Sequence, residues 1–384
     1  MKIKVSQEKF SKALNNVSRV AVGKVTLPIL NNVLIRVHNK KVSLTTTNLD
    51  MAVVDFLPVS SSEDGVITVP AKLLAEFISN LPKGENIELT TKDNKVTITA
   101  GKYSSTINGS AADDFPELPE INEKQAVIYK MSIEDFKTSI SQVTIASSND
   151  LTRPALTGVY FNTNDGSLAI AATDGYRLAE KKIISKVESE VKAIVPTTSL
   201  QEVLRAISDD MDEVEISFNE DLVRFRLGEI EIISKLIDAS FPDYTKLIPK
   251  DNNIKVTLDR DELVRVTKLA ALFAKNVGGS IICETKTPDT FSVKSIASEF
   301  GENASTLEVT TKKNGKVNLN SRFLLDALNA IEEKEIEFEF SDRVAPILLK
   351  NKKSDNYTHI IMPLNQWLSK VLNLQIFAIT HHTF

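Results

Sequence analysis

Histidines and adjacent carboxylates are the residues of this 384-residue chain whose types could support catalysis or metal binding. The four histidines are His38, His359, His381 and His382. The last two are neighbours, and imidazole nitrogens are common metal ligands. No third ligand follows them closely in the sequence, so we interpret the pair as part of a terminal tail. We therefore expect no metal site and no cofactor.

The paired carboxylates are Asp113-Asp114 and Asp209-Asp210. Two neighbouring carboxyl groups can divide acid and base roles when their environments separate their pKa values. Both pairs fall in polar connecting segments, where solvated charge is the simpler interpretation. The chain also contains no HExxH, paired CxxC, GxSxG, Walker or GxGxxG motif. The residues that could do chemistry thus predict a binding protein and not an enzyme.

The composition narrows the class of protein further. Hydrophobic residues make up 42% of the chain and charged residues 25%, which is typical of globular proteins. The single cysteine, Cys283, permits no internal disulfide, and this predicts that the protein resides in a reducing cytoplasm. We expect no signal peptide and no membrane span, because no apolar run reaches about 18 residues. The net charge of −5 argues against a surface that binds nucleic acid everywhere, but it allows a local basic face.

Short sequence landmarks repeat along the chain with a period of about one third of its length. Val69-Pro70 returns as Val195-Pro196, and Phe115-Pro116 returns as Phe241-Pro242, in both cases 126 residues later. A third copy closes with Met362-Pro363. This period is far longer than that of solenoid repeats, so each copy is predicted to be a domain.

Each copy begins with a predicted amphipathic helix, because apolar residues recur at helical spacing after a capping residue. The three openings are Ser6-x-x-x-Phe10, Ser132-x-x-x-Phe136 and Asp259-x-x-x-Leu263. Alternating segments then predict β-hairpins, for example Val33–Val37 with Val42–Thr45. A second helix is predicted after Pro70, Pro196 and Asn320, followed by further hairpins. We therefore predict an α+β fold of three repeats, each reading helix, strands, helix, strands.

Several short motifs resemble the bacterial DNA polymerase III beta subunit family, the replicative sliding clamps. Their order and spacing match that family from residue 1 to about residue 364. The motifs are Thr26–Leu30, Arg153–Gly158, Ala172–Leu178, Ser240–Tyr244 and Ile361–Leu364. The resemblance implies clamp domains at 1–122, 127–249 and 253–364, with an atypical tail at 365–384.

The resemblance implies a non-catalytic processivity factor, in which two chains close head to tail into a ring around double-stranded DNA. Basic helices would line the hole, with DNA-facing residues at Lys9, Lys12, Arg19, Lys24, Lys72 and Arg153. The dimer interface would join Ile107 of one chain to Leu272 and Phe273 of the other. We expect a folded monomer when both of the latter are made polar. A cytoplasmic, nucleoid-associated protein is expected.

The resemblance also implies a pocket in which partners dock short linear motifs of the type Gln-Leu-x-Leu-Phe. Expected partners are the DNA polymerase III alpha subunit, the clamp loader complex, and other DNA polymerases, ligase and mismatch-repair proteins that carry such motifs. An apolar groove with a few polar groups suits a peptide. The pocket residues implied are Leu156, Thr173, Gly175, Tyr176, Leu178, Pro242, Lys246, Leu247, Asn320, Phe323, Val344, Ile360, Met362, Pro363 and Leu364.

Two other functions remain open at this stage. An open arc of the same three domains could serve as a scaffold that never encircles DNA. A nucleic-acid-processing enzyme is the third possibility. A ring predicts a dimer with topological retention on DNA, an arc predicts a monomer, and an enzyme predicts turnover without partners.

Overall fold

The structure is a computed structural model that describes residues 1–21, 27–59, 61–164, 166–184, 186–187, 189–249, 251–275, 278–297, 300–341 and 345–364. Three sequence-based predictions lie outside the described residues. They concern Lys24, Val344 and the tail at 365–384.

The described residues form six α-helices and 25 strands. The first third contains β1 (Lys2–Ser6), α1 (Gln7–Ser18), β2 (Asn32–His38), β3 (Lys41–Thr47), β4 (Met51–Pro58), β5 (Ser61–Glu63), β6 (Gly65–Pro70), α2 (Ala71–Ser79), β7 (Asn86–Lys92), β8 (Lys95–Ala100) and β9 (Tyr103–Asn108). The second contains β10 (Val127–Ser132), α3 (Ile133–Thr144), β11 (Gly158–Asn164), β12 (Ser167–Thr173), β13 (Arg177–Ile184), β14 (Lys192–Pro196), α4 (Thr197–Ala206), β15 (Glu213–Phe218), β16 (Leu222–Leu227) and β17 (Ile230–Lys235).

The last third repeats this order. It contains β18 (Ile254–Asp259), α5 (Arg260–Ala274), β19 (Ser280–Lys286), β20 (Thr290–Ala297), β21 (Gly301–Glu308), β22 (Gly315–Asn320), α6 (Ser321–Ala330), β23 (Glu335–Phe340), β24 (Ile347–Asn351) and β25 (Tyr357–Ile361). The predicted α+β order of helix, strands, helix, strands is confirmed in each third.

The predicted helix starts are confirmed by side-chain caps. The Ser6 hydroxyl accepts a hydrogen bond from the backbone N–H of Lys9, at 3.4 Å. The Asp259 carboxylate accepts two, from the N–H groups of Asp261 and Glu262, both at 3.0 Å. These bonds satisfy backbone donors that a helix leaves free in its first turn.

The sheets run across the boundaries between repeats. In one sheet, β17 of the second repeat pairs antiparallel with β4 of the first, with Ile230 opposite Asp55. In another, β25 of the third repeat pairs antiparallel with β13 of the second, with Ile360 opposite Leu178. Each is an eight-stranded sheet shared by two repeats.

Because of this sharing, the chain divides into two compact units, each of which contains strands from two repeats. The first unit comprises residues 1–137 and 195–238, and the second comprises residues 138–194 and 239 onward. The second repeat is therefore split between the units. A five-stranded sheet, β5-β1-β7-β8-β9, completes the first unit, and a four-stranded sheet, β21-β20-β19-β22, completes the second.

The apolar faces of these elements form the cores. Phe10, Leu14 and Val17 of α1 are buried, as the helical spacing predicts. Cys283 is fully buried, and burial raises the pKa of its thiol to about 12, which keeps it in the unreactive neutral form. In the described part of the chain, no helix is both long enough and apolar enough to cross a membrane.

Candidate functional site

A tight turn between β12 and β13 forms the centre of the candidate pocket in the second unit. The Asp174 carboxylate accepts hydrogen bonds from the N–H groups of Tyr176 and Arg177, at 2.9 and 3.0 Å. The Thr173 hydroxyl donates to the carbonyl oxygen of Arg177, at 2.6 Å. Gly175 has a φ of +90°, a conformation that glycine adopts without strain. These bonds fix the backbone of the turn and place Gly175 at the surface.

The Arg177 guanidinium ties this turn to helix α6. It is largely buried, with Nε 3.0 Å from Asp174 Oδ2 and Nη1 2.6 Å from Asp326 Oδ2. It also lies over the Phe323 ring, 4.6 Å from the centroid. One cation thus holds two carboxylates and an aromatic ring from separate segments.

The end of β25 runs along the same turn. Leu178 pairs with Ile360, and beyond the strand the Met362 N–H donates to the carbonyl oxygen of Tyr176, at 2.8 Å. Pro363 follows and is buried. The Ile361–Leu364 and Ala172–Leu178 motifs are therefore neighbours, although about 180 residues separate them in the sequence.

An apolar cluster lies beneath the turn. Leu178 and Ile360 are buried together with Tyr244, while Phe241 packs against them from a partly buried position. The Tyr244 hydroxyl donates to Glu180 Oε1, at 2.7 Å. Burial and the adjacent Glu180 carboxylate raise the pKa of Tyr244, so it remains a neutral donor.

The segment after this tyrosine forms one wall. Leu247 lies in a short 3-10 helix, Thr245–Leu247, and exposes 40% of its surface. Lys246 Nζ is 2.9 Å from Asp243 Oδ2, and both side chains are exposed. Hydrogen bonds from Thr245 and Lys246 lower the pKa of Asp243. The wall therefore presents an apolar side chain beside an ion pair.

Asn320 has the helix-capping role that the sequence predicted, whereas Arg153 has a role that the sequence did not indicate. Asn320 caps helix α6 by accepting from the Arg322 N–H, at 2.9 Å, and its Nδ2 donates to the Gly278 carbonyl at 3.4 Å. Arg153, predicted to face DNA, pairs with Asp150 at 3.2 Å. A Cβ added at Gly175 would lie 3.3 Å from Arg153 Nη1. Arg153 therefore contacts the pocket turn, close to the 3-10 helix that contains Leu156.

Residues that organise the pocket were missed as site residues. Asp174, Arg177, Phe241 and Tyr244 all lie inside the quoted motifs, but only the tertiary contacts assign them a positioning role. Asp326 had no such signal, since an acidic residue on a helix face is ordinary. Its partner is 149 positions away in the sequence.

The other predicted DNA-facing cations lie in the first unit, and three of them have carboxylate partners. Lys12 Nζ is 3.4 Å from Asp210 Oδ1, and Arg19 Nε is 3.1 Å from Glu202 Oε2. Lys72 Nζ lies 3.9 Å from a carboxylate one turn later on α2. Lys9 is exposed. The positive charge of this set is therefore partly neutralised within the chain.

The predicted interface residues differ in exposure. Leu272 is 73% exposed on α5, and its neighbour Phe273 is partly buried, as expected for adjacent residues on a helix. Ile107 is only 6% exposed, because its side chain points into the core of its own sheet. Among the described strands β9 pairs only with β8, so its other backbone edge is unpaired.

A buried histidine lies beside the pocket strand and predicts acid sensitivity. His359 is fully buried, with Nδ1 2.9 Å from the Tyr357 hydroxyl. Burial, together with the nearby Arg177 charge, lowers the pKa of His359 to about 3. The unfolded chain therefore binds a proton near pH 6.5 that the folded chain excludes. The contribution of His359 to stability is complete above pH 6.5 and is lost as the pH falls towards 3.

We expect His359→Gln to remove this dependence. The free energy of unfolding of the wild type, relative to the variant, should decrease by about 1.4 kcal/mol for each pH unit below 6.5. Urea titrations between about pH 4.5 and 7.5 measure it. His38→Gln, at an exposed histidine, is the matched control. Parallel pH curves for wild type and His359→Gln would contradict the prediction.

Comparisons with known proteins match nearly the whole chain to one family. Three family profiles match in succession, described as DNA polymerase III beta subunit, N-terminal domain (residues 1–119), central domain (130–243) and C-terminal domain (245–365). A beta sliding clamp of Staphylococcus epidermidis is 30% identical over 379 residues, covering 96% of this chain and 100% of that protein. A Staphylococcus aureus beta sliding clamp is 29% identical with the same coverage.

Solved structures agree as well. The DNA polymerase III subunit beta of Pseudomonas aeruginosa matches with a TM-score of 0.90 at 27% identity, covering 95% of this chain and 100% of that one. A sliding clamp of Bartonella birtlesii, solved bound to griselimycin, matches with a TM-score of 0.88 at 30% identity, covering 95% and 99%.

Proposed function

This chain belongs to the DNA polymerase III beta subunit family, the beta sliding clamps, and we propose that two copies of it close head to tail into a ring around duplex DNA. It is a non-catalytic DNA sliding clamp. The ring and its partners are the proposal. The observation that supports the ring is that, of the strands described, one in the first repeat and one in the third repeat each have an unpaired edge.

The two junctions inside the chain follow one rule. The last strand of a later repeat pairs with the fourth long strand of the repeat before it, as β17 does with β4 and β25 does with β13. Two strands in the corresponding positions have no such partner within the described part of the chain. They are β9, the last strand of the first repeat, and β21, the fourth strand of the third repeat. Among the described strands, β9 pairs with β8 alone and β21 with β20 alone.

These strands are complementary edges for a second copy. Strand β21 carries Glu302 and Glu308, and Lys102 directly precedes β9. A free edge is a template for antiparallel pairing, so β9 of one chain can add to β21 of another. Repeating this contact in the opposite direction uses all four edges and closes two chains.

The helices beside these edges follow the same rule. At the internal junctions a second helix meets the first helix of the preceding repeat, since Glu202 of α4 pairs with Arg19 and the Ala330 carbonyl of α6 accepts from Gln142. Helices α2 and α5 have no such partner from another repeat in the described residues of the chain. Leu73 on α2 is 52% exposed and Leu272 on α5 is 73% exposed. Pairing the helices buries both leucines, together with Phe273.

A ring retains DNA by topology, so its lining needs only weak contacts. Each phosphate neutralised by a cation strengthens binding through counterion release, and tight binding slows movement. We assign the lining to Lys9, Lys12, Arg19 and Lys72. The ion pairs of Lys12, Arg19 and Lys72 suit a weak lining. We assign Arg153 to the pocket turn.

The pocket is proposed to tether partners by their linear motifs. Leu178 and Ile360 form an apolar floor, while Leu247 and Met362 are partly accessible above it. The proposed partners are the polymerase III alpha subunit, the clamp loader complex, and other polymerases, ligase and mismatch-repair proteins with such motifs. A peptide with two or three apolar side chains fits this surface.

The ring is tested by the dependence of binding on DNA topology. Clamp placed on nicked circular DNA by a bacterial clamp loader is expected to remain bound through gel filtration. Cutting the circle should reduce retention by at least about tenfold, because a free end releases a ring whose direct DNA contacts are weak. Light scattering should give a mass of two 42.5 kDa chains.

Equal retention on circular and linear DNA would show direct binding and overturn the ring. A monomer by light scattering would favour the open arc. Turnover of DNA without partners would favour an enzyme.

A further inference from the structure

A second cleft opens beside the candidate pocket in the second unit. Its volume is about 370 Å³, and it lies between β11, the start of β14 and the segment that follows Phe241. The cleft is lined by Tyr160, Asn162, Thr163, Asn164, Lys192, Phe241, Pro242, Asp243, Tyr244 and Thr245. Pro242 belongs to the predicted pocket as well, so the two surfaces are continuous.

The floor of this cleft is a pair of stacked aromatic rings. Tyr160 and Phe241 lie with centroids 4.8 Å apart and an interplanar angle of 10°. Both rings pack against the cluster that contains Leu178 and Ile360. The floor of the cleft and the floor of the pocket thus rest on one apolar cluster, which makes the cleft a preformed surface.

The charged side chains that line the cleft are Lys192 and Asp243. Asp243 is already engaged by Lys246 and Thr245. Lys192 is exposed, and no carboxylate of the described residues forms an ion pair with it. Asn162 Oδ1 accepts from the Tyr160 hydroxyl at 3.4 Å, and its Nδ2 can donate to a ligand. The rim therefore suits an anionic ligand with several acceptors.

We propose that this cleft binds an acidic segment of the partner peptide, adjacent to the motif that occupies the pocket. The proposal rests on the proposed peptide-binding function, because continuity through Pro242 is what delivers the segment to the cleft. A Glu or Asp side chain pairs with Lys192, and peptide carbonyls accept from the asparagine amides. The cleft thereby distinguishes partners that carry the same motif but different flanking charge.

Fluorescence anisotropy with two sets of labelled peptides tests the proposal. The short probe is Gln-Leu-Ser-Leu-Phe, and the long probes add three glutamates before or after it. One long probe is expected to bind about threefold to fivefold more tightly than the short one at about 50 mM salt, and the gain should shrink at about 300 mM. Lys192→Glu should abolish the gain and leave the affinity for the short probe within about twofold.

Lys312→Glu, at an exposed lysine that does not line the cleft, is the matched control and should retain the gain. Failure of the short probe to bind the wild-type chain would count against the pocket itself. Binding of the short probe with no gain from either flank, or with a gain that survives Lys192→Glu, overturns the cleft proposal. Lys192-dependent binding of oligodeoxythymidine, without any gain from glutamates, would assign the cleft to single-stranded nucleic acid instead and also overturn it.

Discussion

Leu272→Asp is expected to convert the dimer into a folded monomer. Leu272 exposes 73% of its surface on α5, a helix that no other repeat of the chain covers by the junction rule. Burying a carboxylate without a partner in an apolar interface is strongly unfavourable. We expect the dimer dissociation constant to rise at least about 100-fold, which corresponds to about 2.7 kcal/mol. Light scattering and analytical ultracentrifugation measure it.

The same loss is expected from the opposite side of the contact. Leu73→Asp on α2 should also give a monomer, because the junction rule places α2 against α5 of the second copy. Leu151→Asp is the matched control, since Leu151 is 82% exposed and lies outside these helices. Phe273 is a poorer target because it is partly buried, so changing it also disturbs the core of its own unit. Dimers that survive both single changes would place the interface elsewhere.

Arg177→Ala is expected to destabilise the second unit and weaken peptide binding together. Removing the guanidinium leaves Asp174 and Asp326 without their cation; the side chain of Asp174 is 16% exposed and that of Asp326 is 31% exposed. Breaking a buried ion pair from one side costs about 3–5 kcal/mol. The turn at Gly175 also loses the contact that holds Asp174 in place, so the pocket wall shifts. Urea titration and anisotropy with the short motif peptide measure the two effects.

Two comparison variants separate burial from charge. Arg153→Ala removes an exposed pair with Asp150 and should cost about 1 kcal/mol or less. The double variant Arg177→Met with Asp326→Leu should recover part of the stability, because it removes the Asp326 carboxylate that Arg177→Ala leaves without its cation, while Asp174 remains without one. Loss of stability in Arg177→Ala no greater than that of Arg153→Ala would show that the buried network is weak.

Local sequence determined the elements and their order. Helix starts at Ser6, Ser132 and Asp259 depend on a side-chain oxygen within three residues of a free backbone N–H, which is a local property. The alternation of Val33–Val37 specifies a strand with one buried face. The repeat offset and the motifs then identified the family, because their order is also written along the chain.

Tertiary structure alone decided which elements meet. The sequence predicted three repeats, and the structure shows that the pairing of β17 with β4 and of β25 with β13 joins neighbouring repeats into two compact units. A strand edge carries the same backbone donors and acceptors whatever its sequence, so sequence does not reveal its partner. Only the assembled sheets show that, among the described strands, β9 and β21 each keep one edge without a partner.

The pocket divides in the same way. Its apolar residues were predictable from motifs, since hydrophobic side chains at those positions are visible in the chain. The pairing of Arg177 with Asp326 and the burial of Ile107 were not. Each depends on the direction in which a side chain points after distant segments pack, and packing and desolvation, not residue type, set that direction.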